Sequence, residues 1–216
     1  MTTHSSDFYL KQVEIGPMEN FVYFVGDKKT REVFIVDPAW QVDTILRMAK
    51  EEDLKIKGAL VSHFHFDHTN GIEELLESVS CPIYVNKKDV PYLDFKSSHI
   101  HPTDHGDKVR VGDVEIEMVH TPGHTPGSQC FHVRNHLISG DTLFINACGR
   151  CDLPGGNPED MYYSLTQKLM KFDDSTILCP GHNYTKETTS TMGEQKKYNP
   201  YLLCDSLPRF LKFRMG

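Results

Sequence analysis

The chain has 216 residues, enough for one domain or a tight pair of sub-domains, and its 38% apolar and 25% charged residues suit a packed core rather than disorder. A net charge of −7 argues against a nucleic-acid backbone or an anionic membrane as partner, and the longest apolar run, residues 21–25, is far short of a membrane span. Residues 1–7 hold no basic region followed by an apolar stretch, so no secretory signal is expected and the cytosol is the expected compartment.

In chain order, the first sixty residues read as three strands, a helix and a strand. Residues 21–25 and 33–36 are short apolar runs bounded by Gly26-Asp27 and Asp37-Pro38, the form of buried strands. Val42, Ile45, Leu46 and Met48 lie among charges and predict a surface helix ending before Lys57. Residues 58–61 are a buried strand running directly into Ser62-His63. Ile72, Leu75, Leu76 and Val79 recur at i, i+3, i+4 and i+7, one face of a helix, and residues 83–85 give another strand. Residues 86–108 are polar and irregular and predict a long loop with one helical turn.

Residues 109–119 predict a hairpin turning near Gly112-Asp113, and two further strands lie near 130–133 and 137–139. Asn157-Pro158-Glu159-Asp160 is a helix start: a capping Asn, Pro in the first position and two acids in the first turn. Met161, Leu165 and Leu169 form that helix's buried stripe. A last strand is expected at 176–179 and a helix over 187–197. Strands and helices mix throughout, which favours a layered α/β sandwich. Six cysteines are too sparse for a disulfide scaffold; Cys81, Cys130, Cys179 and Cys204 read as small buried side chains. Cys148 and Cys151 form a lone Cys-x-x-Cys, weak evidence for redox chemistry and without the second pair of a four-sulfur zinc site.

The strongest signal is His63-Phe64-His65-Phe66-Asp67-His68, at a strand-to-helix turn. Imidazole and carboxylate are ligands of first-row metals, and alternation puts His63 and His65 on one side while the chain reversal turns Asp67 and His68 toward a neighbouring point. One peptide can thus serve two adjacent ions, with partners from elsewhere. His124 in Pro122-Gly123-His124-Thr125, Asp141 in Ser139-Gly140-Asp141-Thr142 and His182 in Pro180-Gly181-His182 each follow a strand, where sites are assembled. His99, His101 and His105 superficially repeat the spacing but fall in the expected loop and read as solvated; His120 reads as a strand-end residue, His132 and His136 as hairpin-surface residues.

These four motifs, in this order, resemble the metallo-β-lactamase-fold hydrolases, and Asn20, Asp37-Pro38 and Gly71 extend the match through the N-terminal half. The resemblance implies a single four-layer αββα sandwich over residues 1–216, with two divalent metal ions, zinc foremost and iron or manganese as substitutes, in a cleft at one edge of the sheets. His63, His65 and His124 would hold one ion, Asp67, His68 and His182 the other, and Asp141 would bridge them. Within the superfamily the chain looks most like the glyoxalase II group, with Arg150 and Tyr184 at the substrate-contacting positions and Asp67 also orienting the nucleophile. That implies hydrolysis of a small-molecule thiolester of the hydroxyacylglutathione type by a metal-bound hydroxide. Cys148-Gly149-Arg150-x-Asp152 also resembles the persulfide dioxygenases of this fold, which use one iron held by residues matching His63, His124 and Asp141. A non-catalytic metal-binding module is the third reading.

Overall fold

The computed structural model describes residues 7–216, so the signal-peptide expectation, which rests on residues 1–7, lies almost wholly outside the described residues. Two six-stranded sheets stack face to face. The first runs β1 (Phe8–Ile15), β2 (Asn20–Asp27), β3 (Glu32–Val36), β4 (Lys55–Val61), β5 (Ile83–Asn86) and β6 (Ile100–Thr103), in that spatial order. Its first three strands are antiparallel, and β3 to β6 are parallel, connected by α1 (Val42–Glu51) and by α2 (Phe66–Thr69) with α3 (Ile72–Ser78). The second sheet contains β7 (Lys108–Val111), β8 (Val114–His120), β9 (Gln129–Val133), β10 (His136–Gly140), β13 (Ile177–Pro180) and β14 (Ser190–Thr191), ordered β14-β13-β10-β9-β8-β7. A small ribbon, β11 (Leu143–Phe144) with β12 (Ala147–Cys148), follows β10.

Strand alternation explains the layering. Phe21, Tyr23, Val25, Phe34, Val36 and Leu60 point between the sheets and meet Val114, Ile116, Met118, Phe131, Val133 and Ile138 from the other side. The alternate residues Val22, Phe24, Val33 and Ile35 are also buried, because Ile45 and Ala49 of α1 cover them. Ile72 and Leu75 of α3 cover Ala59, Val61, Ile83 and Val85. On the opposite outer face, Cys130, Leu137 and Leu178 lie under α4 (Pro158–Tyr163), whose winding continues to Lys171, and under α5 (Met192–Tyr198) and α6 (Leu207–Met215). Both strand faces being covered is why these strands read as continuous apolar runs. The result is the αββα sandwich.

Asn157 caps α4 as expected, its side chain accepting from the Glu159 and Asp160 N–H groups, and Met161, Leu165 and Leu169 are fully buried. Three expectations need correction. Residues 86–108 are not all loop: β6 pairs in parallel with β5, opposing His101 to Tyr84, so a strand does carry His101. The helix expected over 187–197 starts only at Met192, after the two-residue strand β14, with Thr191 capping the Glu194 N–H. Finally, α6 had no counterpart among the expected elements. All six cysteines are free and buried, Cys148 and Cys151 included.

Candidate metal centre

The two sheets are stitched together at the edge where the histidines gather. The Phe21 N–H donates to the Gly181 carbonyl at 2.8 Å, and the Gln129 N–H to the Ser62 carbonyl at 2.9 Å. Strands β4, β8, β10 and β13 all end here, so the residues following each one converge. Two glycines permit that approach. Gly140 has φ +48°, and a Cβ there would sit 2.5 Å from the Ser62 Cβ; at Gly149 a Cβ would meet the Asp141 carbonyl oxygen at 1.9 Å.

The seven sequence-predicted side chains come together. The ligand atoms of His63, His65 and His124 lie within 4.8 Å of one another, as do those of Asp67, His68 and His182, and those of His63, His68 and Asp141. Asp141 faces both groups: Oδ1 is 3.4 Å from Nε2 of His68 and of His182, and Oδ2 is 3.5 Å from Nε2 of His124. The His68 and His182 Nε2 atoms are 3.1 Å apart. Nε2 of His63, Nε2 of His124 and Oδ1 of Asp141 are buried without any hydrogen-bond partner. Orphaned polar atoms are costly, and cations within these groups would supply the missing partners. The residues fit metal ions. All donors are imidazole nitrogen or carboxylate oxygen, a set that suits zinc, iron or manganese.

Four of the five rings are oriented by their other nitrogen. His63 Nδ1 lies 3.0 Å from Ser62 Oγ, His68 Nδ1 2.9 Å from Asp37 Oδ2, His124 Nδ1 2.7 Å from the Arg150 carbonyl, and His182 Nδ1 2.8 Å from the Met18 carbonyl. Donation from Nδ1 to these acceptors turns each Nε2 toward the site. Asp37 carries much of this order: it also accepts from the Ser62 N–H and hydroxyl, each at 2.6 Å. Asn20 Nδ2 donates to Asp67 Oδ2 at 3.0 Å, and Trp40 Nε1 holds Asn20 Oδ1 at 2.9 Å. Asp89 joins two ligand-bearing loops, accepting from the Phe64 N–H at 3.0 Å and the Thr125 hydroxyl at 2.7 Å.

Sequence reasoning missed Asp37, Ser62 and Asp89 as organisers. Asp37 was visible as a family match and a turn residue, whereas Asp89 carried no signal at all. His101 and His105 stand apart from the cluster: His101 packs near the Tyr84 ring at 5.6 Å, and His105 is exposed. His120 ends β8 and its Nε2 donates to the Pro126 carbonyl at 2.9 Å.

Charge divides the cluster. Burial, reinforced by neighbouring imidazoles, pushes His63 well below the usual histidine range and His65 down to about 4, and burial lowers His124 as well. Burial also opposes a charge on His68, but Asp141, Asp37 and Asp67 outweigh it and lift that ring to about 9. His182 is raised against its burial by Asp141. Asp141 itself is held well below the carboxylate range, its desolvation overcome by His68 and His182. One side therefore offers neutral imidazoles, and the other holds protons that a cation would displace.

The site opens into a cleft of about 600 Å³ walled by Met18, Phe64, Phe66, Phe144 and Tyr184, with Arg150 and Arg214 also lining it. The Tyr184 ring stacks on His182 with centroids 4.8 Å apart, and burial pushes its hydroxyl up to about 12. Arg150 is exposed and pairs with Asp152.

Residues 15–182, most of the chain and the whole ligand set, match the model of the metallo-beta-lactamase superfamily. The chain belongs to that superfamily. It is similar to the probable polyketide biosynthesis zinc-dependent hydrolase PksB of Bacillus subtilis, 27% identical over 195 residues that cover 90% of this chain and 87% of PksB. The crystal structure of ETHE1 from Myxococcus xanthus superposes with a TM-score of 0.87 at 30% identity, covering 95% of this chain and 89% of that one. A di-iron-bound structure, TTHA1623, superposes with a TM-score of 0.78 at 27% identity, covering 89% of this chain and all of the other. No helix among the described residues is long and apolar enough to cross a membrane.

Proposed function

We propose that this protein is a metal-dependent hydrolase that holds two divalent cations, zinc foremost, and cleaves small-molecule thiolesters. The observation that carries the reading is the convergence of two complete triads, with the buried, unpartnered atoms of His63, His124 and Asp141 between them. Zinc is supported by the likeness to a zinc-dependent hydrolase, and iron as a substitute by the di-iron form of a structural neighbour. When bound, such a pair supplies Lewis acidity and lowers the pKa of water from about 15.7 toward about 7.

In this assignment His63, His65 and His124 would hold one ion, and Asp67, His68 and His182 the other. Asp141, whose two oxygens face the two groups, would be shared between them. Asp67 Oδ2, fixed by Asn20, offers an acceptor for a proton of the attacking water and so orients it. Phe64, Phe66, Phe144 and Tyr184 shelter the apolar parts of the substrate from water, and a thiolate leaves without needing a proton donor. Arg150 contributes its backbone carbonyl, which holds His124, as well as its side chain at the cleft wall.

The test is release of free thiol from S-lactoylglutathione by zinc-loaded protein under argon. Turnover is expected without oxygen and is expected to vanish in Asp67→Ala and in His182→Ala. Oxygen uptake with glutathione persulfide that survives His182→Ala, with no thiolester cleavage, would replace this reading by a one-iron dioxygenase.

A further inference from the structure

One of the five rings at the centre is not held as the others are. Nδ1 of His63, His68, His124 and His182 each has a hydrogen-bond partner, whereas neither ring nitrogen of His65 has one among the described residues. The backbone that carries His65 is gripped instead, from the end of β5. Asp89 follows that strand, precedes the single helical turn Val90–Tyr92 and is fully buried. Its Oδ2 accepts from the Phe64 N–H, between His63 and His65, and from the Thr125 hydroxyl, beside His124. Its Oδ1 accepts from the Gly127 N–H at 2.5 Å. Tyr92, at the end of the same turn, stacks on the Phe64 ring with centroids 4.9 Å and planes 19° apart.

Among the described residues Asp89 makes no ion pair; neutral donors alone hold it. A buried carboxylate without a positive partner is costly, yet here both oxygens are needed. An Asn presents one oxygen and one NH₂ group, so whichever way it turns it aims hydrogens at the Phe64 N–H or at the Gly127 N–H. Gly127 is fitted to the same carboxylate, since a Cβ there would lie 2.5 Å from Oδ1. One side chain thus draws the loop of His124 onto the loop of His63 and His65. The other triad is tied down separately: Asp67 by Asn20, His68 by Asp37 and His182 by the Met18 carbonyl.

We propose that Asp89 is a positioning residue serving the His63, His65 and His124 site alone, which sets His65 through the Phe64 backbone and fixes its spacing from His124. The proposal rests on the two-metal part of the functional reading and is independent of the substrate.

Zinc affinity at pH 7.5, read against a competing chelator, tests it in two single-site backgrounds. In His182→Ala, which keeps the His63, His65 and His124 site, adding Asp89→Asn should lower the affinity about tenfold to a hundredfold, the scale of losing a partner that orients a ligand. In His65→Ala, which keeps the Asp67, His68 and His182 site, the same change should move it by less than about twofold, as independent sites require. Thr125→Val, which keeps the shape and removes one donor to Asp89, should weaken the first of these sites by a smaller factor, and Thr125→Ser should restore it. If Asp89→Asn does not fold, the Thr125 pair decides by itself. First-site affinity that survives both Asp89→Asn and Thr125→Val would overturn the proposal. So would an equal loss in the two backgrounds, which would reduce Asp89 to a general support of the fold. If the wild type binds no zinc, the two-metal reading fails by itself, and amide hydrogen exchange of the metal-free wild type and Asp89→Asn still decides the clamp. Protection lost at Phe64 or Gly127 and kept at His68 is the expected result; protection unchanged at all three would overturn it.

Discussion

Replacing Asp37 by Asn should weaken one metal site while leaving the fold and the other site in place. Asp37 is 2% exposed and binds no metal in the proposed assignment; it works through hydrogen bonds. Oδ1 accepts from the Ser62 N–H, and Oδ2 accepts from the Ser62 hydroxyl and from His68 Nδ1. Asn preserves the shape, and its tolerance of left-handed backbone suits the φ of +52° at this position. With its oxygen kept toward the Ser62 N–H, however, its NH₂ group faces His68. The ring must then accept at Nδ1 and carry its proton on Nε2, the atom that should bind metal. Loss of such an orienting partner costs about tenfold to a hundredfold in metal affinity, or about 1.4–2.8 kcal/mol. Zinc titration against a competing chelator should show the weaker binding step fall by that factor, and nitrogen NMR of His68 should show the exchanged tautomer. Unchanged affinity at both steps, or a His68 that keeps its proton on Nδ1, would refute the reasoning.

Three further outcomes are expected. His68 is lifted to about 9, so the metal-free protein holds a proton there at pH 7.5 that zinc must displace. Calorimetry in buffers of different ionisation enthalpy should report release of about one proton per chain, that of His68, shrinking above pH 9; binding that releases none at pH 7.5 would contradict this charge state. Burial lifts the Asp89 carboxyl from 3.8 to about 6, so the native state holds its proton more tightly than the unfolded chain does. That contribution is complete below about pH 4 and is lost as pH rises through about 6; urea midpoints should show wild type losing up to about 3 kcal/mol relative to Asp89→Asn over that window. A pH-independent difference between the two would count against it. Lastly, the double variant His101→Ala, His105→Ala should keep full metal stoichiometry, because neither ring reaches the cluster; a lost equivalent in elemental analysis would revise the ligand set.

The parts of the molecule legible in the sequence are those where chemistry and local pattern coincide. His63, His65, Asp67 and His68 announce themselves because so many metal-binding groups sit at one turn, and the glycines beside His124, Asp141 and His182 mark backbones that must come close. The α4 start is legible because Asn157, Pro158 and Glu159 act within one turn. Strand β6 is not, since Ile100-His101-Pro102-Thr103 shows no alternation and takes its place through backbone pairing at a sheet edge, where Pro is tolerated. The α5 boundary was missed because Ser190 and Thr191 pair with β13 before Thr191 turns to cap the helix. Helix α6 buries only Phe210 outright, too thin a stripe to read. Asp37 and Asp89 act through contacts at least 25 residues away, and such partners depend on the finished fold rather than on any local signature.

The central claim is that both triads bind metal, and elemental analysis of protein purified without chelator tests it most directly. Wild type should carry about two equivalents per chain, as a two-metal centre requires, and His182→Ala about one, with His63, His65 and His124 still filled. A single equivalent in wild type that is unaffected by His182→Ala would contradict the account.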